Sequence, residues 1–63
     1  MGMGYPVTVA CSNIMEVSER LEWAEKHGIK LLNRTWVVIN ERQHVSFFFE
    51  KEKDATIFAL RWS

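Results

Sequence analysis

Cys11 is the single cysteine of a 63-residue chain that also holds two histidines, His27 and His44. A catalytic thiol needs a base or a positive environment to become thiolate, and no Asp, Glu or His stands beside Cys11 in the sequence. Its expected role is that of a small buried hydrophobe. One thiol and two imidazoles are too few for a closed zinc site, and one cysteine forms no intrachain disulfide. Free thiol chemistry fits a reducing, cytoplasmic setting.

The other reactive groups also read as structural. His27 falls in the last turn of an expected helix, where a protonated imidazole complements the carbonyl end of the helix dipole. His44 opens an expected strand. Glu50, Glu52 and Asp54 alternate with Lys51 and Lys53, which supply the compensating charge, so the run reads as a solvated turn rather than a cation site. The glycines lie at positions 2, 4 and 28, none of them in the strand-turn-helix setting of a phosphate loop. Neither catalysis nor a cofactor is expected.

Eight basic residues balance eight acidic ones, which removes the general attraction to phosphate that nucleic-acid binders carry. No stretch approaches the roughly 20 apolar residues of a membrane span, and the opening Met1-Gly2-Met3-Gly4 lacks the charged and apolar regions of a signal peptide. The expectation is one soluble domain over residues 1–63. A chain this short buries a thin core, so association between copies, a homodimer first of all, is the expected support.

These groups must be positioned by five elements. Tyr5 to Cys11 is apolar and β-branched with Pro6 near its start, which predicts a strand. Ser12 and Asn13 suit an N-cap, and Glu16 completes an approximate capping box. Ile14, Val17, Leu21 and Ala24 then recur at helical spacing and predict one buried face. Glu16, Arg20, Glu22 and Lys26 form the opposite, solvated face with i,i+4 pairs. Gly28 followed by Ile29 predicts a Schellman stop near His27.

Lys30 to Asn40 and His44 to Lys51 predict an antiparallel hairpin around the polar Glu41-Arg42-Gln43. In the tail, Asp54 suits an N-cap and the apolar spacing over residues 55–62 predicts a short helix, with a fourth strand as the alternative. The fold class is α+β in the order β-α-β-β-α.

That order resembles the ferredoxin-like pattern without its last strand, a sandwich with a three-stranded sheet. The right-handed crossover rule places the first strand beside the third if the two run parallel. The stretch HVSFFFEKEKDATIFAL also looks like the third strand and second helix of RNA-recognition motifs. There Gln43 stands at the family's glycine, and His44 and Ser46 stand where stacking aromatics belong. The ending FFFEKEKDATIFALRWS resembles the close of small, uncharacterised proteins of tailed bacteriophages. This resemblance covers about the last quarter of the chain and implies no activity; a compact, neutral protein acting in a host cytoplasm by binding something fits it.

Alternation along the hairpin sends Val45, Phe47 and Phe49 to one side and His44, Ser46 and Phe48 to the other. With Val7, Val9, Val37 and Ile39 assigned to the helix-covered face, Trp36, Val38 and Phe48 are left on an uncovered one. An exposed apolar patch of that kind marks an interface. The expected surface comprises Trp36, Val38, Phe48, His44, Arg34 and Arg42. Its expected use is non-enzymatic protein binding. The alternative is a single-stranded nucleic-acid module in which Trp36 and Phe48 stack bases and Arg34 and Arg42 meet the backbone.

Overall fold

The computed structural model describes residues 4–62. Five elements follow one another as β1 (Tyr5–Ala10), α1 (Ile14–Lys26), β2 (Leu31–Ile39), β3 (Arg42–Phe49) and α2 (Glu52–Trp62). The α+β class and the β-α-β-β-α order therefore hold. The tail is a helix rather than a fourth strand, and it begins before Asp54, which sits in its first turn instead of at its N-cap.

The three strands form one sheet in the order β1-β3-β2. The first strand does lie beside the third, but antiparallel to it. Because β2 also pairs antiparallel with β3, β1 and β2 run parallel on opposite edges.

Both ends of α1 are set by local hydrogen bonds. The Glu16 N–H donates to Asn13 Oδ1 at 3.0 Å, and Glu16 Oε1 in return accepts the N–H of Ser12 at 2.6 Å. This is a capping box shifted by one residue. At the other end the Ile29 N–H reaches the Ala24 carbonyl at 2.9 Å and the Gly28 N–H reaches Glu25 at 3.1 Å. With Gly28 at φ +67°, these bonds make the Schellman motif that the sequence predicts.

The hairpin turn differs from the sequence reading. Its two central residues are Asn40 and Glu41, at φ +52° and +66°, and Ile39 pairs directly with Arg42. Two successive left-handed residues are the mark of a type I′ turn, whose twist matches the flanking strands. Arg42 and Gln43, expected in the loop, belong to β3. Moving the turn shifts the pairing by an odd number of residues, and such a shift reverses the faces of the opposing strand.

The core lies between the sheet and the two helices. Val9, Val45, Phe47 and Phe49 from the strands meet Val17 and Ala24 of α1 and Ala55 and Phe58 of α2. Phe58 is its centre, with ring centroids 5.0 Å from Phe47 and 4.9 Å from Phe49. Among the residues expected on the buried face of α1, Val17 and Ala24 are buried and Leu21 packs against the core, but Ile14 is 59% exposed. It is the first residue of the helix.

The turn yields a direct test. A left-handed conformation costs an L-residue about 1–2 kcal/mol, part of which glycine returns as unfolded-state entropy. Glu41→Gly is expected to stabilise the fold by about 0.5 kcal/mol, read as a higher urea midpoint at unchanged slope.

Candidate interaction surface

The register decides which side chains share a side of the sheet, because directly paired residues project to the same face. Trp36 pairs with Val45, Arg34 with Phe47, and Val38 with Gln43. Since Val45 and Phe47 are buried beneath the helices, Trp36, Arg34 and Val38 project to the helix side. Val37 pairs with His44, Ile39 with Arg42, and Asn33 with Phe48, so these project to the open side. The sequence reading had Trp36 and Val38 on the open face and Val37 and Ile39 beneath the helices. Both assignments are reversed.

The six expected surface residues are thereby divided. Phe48, His44 and Arg42 share the open face, and Trp36, Val38 and Arg34 lie on the other side. Trp36 is nevertheless 49% exposed and Val38 71%. They stand at the outer edge of the helical layer, on an edge strand. Of the open-face residues, Phe48 and His44 are half-buried and Arg42 is exposed.

Two backbone bonds show how the strand edges are turned. The Cys11 N–H donates to the Gln43 carbonyl at 3.2 Å, so Gln43 faces the β1 side. The Glu50 N–H donates to the Lys30 carbonyl at 3.4 Å, so Glu50 faces the β2 side. Because hydrogen-bonded and non-bonded pairs alternate in an antiparallel ladder, even-numbered residues of β3 serve β2 and odd-numbered ones serve β1. On β2, Asn33, Thr35, Val37 and Ile39 therefore spend their backbone groups on β3. Arg34, Trp36 and Val38 turn theirs outward.

The same alternation turns Pro6, Thr8 and Ala10 outward on β1. The two edges thus differ in kind. Pro6 has no donor to offer, which blunts the β1 edge. On β2 the Arg34 N–H is held by Asn33 Oδ1 at 2.8 Å, and a register irregularity interrupts the strand between Leu31 and Asn33. From Asn33 to Ile39 the ladder is regular.

A second cluster, spread across the sequence, gathers in the helical layer. Arg20 and Arg61 place their guanidinium groups 4.5 and 4.2 Å from the centroid of the Trp62 ring, which in turn meets Trp23 edge-on at 6.1 Å. Arg20 is thus no member of a solvated i,i+4 pair with Glu16. The Glu16 carboxylate is engaged at the helix cap, while Arg20 bonds the Glu16 carbonyl at 3.0 Å and Glu19 at 3.3 Å. Sequence spacing carries no signal for this cluster, because its residues come from different helices. Trp23 meets Phe58 edge-on and Trp62 meets it at a tilt, in the helical layer.

Cys11 is buried, and burial pushes its thiol above the ordinary cysteine range, with Arg20 opposing and Glu16 reinforcing the shift. His27 donates from Nδ1 to the Trp23 carbonyl at 2.8 Å and stacks on its ring at 4.3 Å, fastening the end of α1. His44 donates from Nδ1 to the Arg42 carbonyl at 3.0 Å. Glu50 faces Lys30 at 3.7 Å, and Glu52 and Asp54 occupy the first turn of α2, where the helix dipole favours acids. Among the described residues no cluster of three or more His, Cys, Asp or Glu side chains could hold a metal ion, and no helix is long and apolar enough to cross a membrane.

The chain matches no family model, no curated protein and no solved structure.

The raised thiol carries a pH dependence. A group whose folded pKa lies above its unfolded value contributes stability that is complete below the unfolded value, about 8.5 for cysteine, and is lost as pH rises through the folded one. Urea midpoints are therefore expected to fall above about pH 8.5 in the native chain, and that fall should vanish in Cys11→Ala. The substitution itself should cost roughly 1 kcal/mol at neutral pH.

Proposed function

We propose that this chain is a non-enzymatic protein-interaction module that works through the β2 edge of its sheet and the apolar side chains beside it. One observation carries the reading. Trp36 and Val38, two large apolar residues, stand exposed on a strand whose outer backbone groups have no strand to pair with among the described residues. Natural proteins blunt such edges with proline, charge or a bulge. Here Pro6 blunts β1, while β2 carries Arg34 as its single charge and its one irregularity lies at its start, between Leu31 and Asn33, away from Trp36 and Val38.

The strand order β1-β3-β2 supports taking the fold as a ferredoxin-like sandwich without its last strand. The resemblance of the ending to tailed-phage proteins supports a bacterial host cytoplasm as its setting. The alternative, base stacking by Trp36 and Phe48 on one platform, is weakened because the two rings project from opposite sides of the sheet. Net neutrality weakens it further.

A photo-crosslinking side chain introduced at Val38, in protein expressed in its host, should capture discrete protein adducts. The same group at Leu60, 76% exposed on α2, should capture none. Equal capture at both sites, or none at Val38, would refute the edge as the working surface. Tight, salt-sensitive binding of fluorescent single-stranded oligonucleotides would favour the alternative.

A further inference from the structure

We propose that the partner at this edge is a second copy of the chain, paired antiparallel through β2 about a two-fold axis that passes beside Trp36. The inference rests on the interaction reading above and names its occupant. Joining the copies this way continues the ladder into one six-stranded sheet.

The backbone dictates which residues would meet. Outward groups belong to Arg34, Trp36 and Val38, so hydrogen-bonded pairs across the axis must be drawn from these three. The regular part of the strand runs from Asn33 to Ile39, between the irregularity at Leu32 and the turn at Asn40. Its midpoint is Trp36. An isologous contact centred there sets Trp36 against Trp36 of the second copy and Arg34 against Val38, and all six outward residues find partners. In doing so the second copy's Val38 carbonyl replaces Asn33 Oδ1 on the Arg34 N–H.

Charge disfavours centres nearer Arg34, while an axis at Val37 would set Arg34 against the turn residue Asn40. Arg34 is the single charged residue of β2. With the axis at Trp36 the two guanidinium-bearing positions lie four residues apart along the strands, about 13 Å at 3.3 Å per residue, which salt screens at a Debye length of about 8–10 Å. With the axis at Arg34 like charges would face each other directly. With the axis at Thr35 they would be two residues apart, about 7 Å, and the bulged Leu32 would be forced opposite Val38. The Trp36-centred contact also buries the two exposed indoles against each other, flanked by Val38.

Disulfide trapping reads this register. In a Cys11→Ala background, Thr35 of one copy faces Val37 of the other as a non-hydrogen-bonded pair, with Cα atoms about 4.5 Å apart, within disulfide range. A mixture of Thr35→Cys and Val37→Cys chains should give the mixed disulfide on mild oxidation, and neither chain alone should cross-link efficiently. Efficient cross-linking of Thr35→Cys alone would overturn the Trp36 centre. Sedimentation of the native chain at micromolar concentration should give twice the 7.4 kDa chain mass. Trp36→Lys, folded by circular dichroism, should weaken the dimer on the order of thirtyfold or more. A native chain that stays monomeric while Val38 still captures a different protein overturns self-pairing and leaves the interaction reading standing. A monomer that captures nothing overturns both.

Discussion

Asn40 and Glu41 hold two consecutive left-handed conformations, and the pairing of β2 with β3 follows from them. A two-residue turn of this kind makes Ile39 and Arg42 partners and thereby sets every later pair along the hairpin. Because side chains alternate strictly between the faces of a sheet, this single local geometry decides that Trp36 and Val38 project toward the helices and Val37 and Ile39 away from them. The shape of the candidate surface depends on that choice more than on any contact in the core.

The core tolerates the arrangement because β3 is central. Val45, Phe47 and Phe49 are buried whichever way β2 is registered, since α1 and α2 cover that face and Phe58 fills the space between them. The edge strand has no such cover along its whole length. Its helix-side residues pass from Leu31, packed against the core, to Trp36 and Val38, which are largely exposed. The apolar content of β2 therefore exceeds what two short helices can shelter, and the surplus lies beside open backbone groups. Open backbone groups and exposed apolar side chains thus coincide on the same strand.

The Arg20–Trp62–Arg61 cluster shows a different economy of charge. Arg20 is only 14% exposed along its side chain, and its guanidinium lies on an indole face and against a helix carbonyl as well as beside the largely exposed Glu19 carboxylate. Weakly hydrated and planar, an arginine suits such a place better than a lysine would. The cluster ties α1 to the end of α2.

Local chemistry was legible in the sequence. The capping residues Asn13 and Glu16, the stop at Gly28-Ile29, the strand beginning at Tyr5 and the alternation of β3 each depend on neighbours a few residues away, and each appears where residue type and spacing place it. The tail also reads correctly as a helix from the spacing of Ile57, Phe58, Leu60, Arg61 and Trp62, although Ala55 and Phe58 are the residues its packing buries. The turn was misread because Glu41-Arg42-Gln43 is a polar run, and polarity marks exposure rather than a left-handed backbone. Asn40 was the better signal, since asparagine tolerates that conformation. The consequence was long-range: an odd shift in register exchanged the faces of β2 and divided the six expected surface residues between the two sides. Only tertiary structure could decide which edge stays open, where Arg20 finds Trp62, and how far the helices reach across the sheet, because each depends on the packing of segments distant in sequence, to which local spacing is blind.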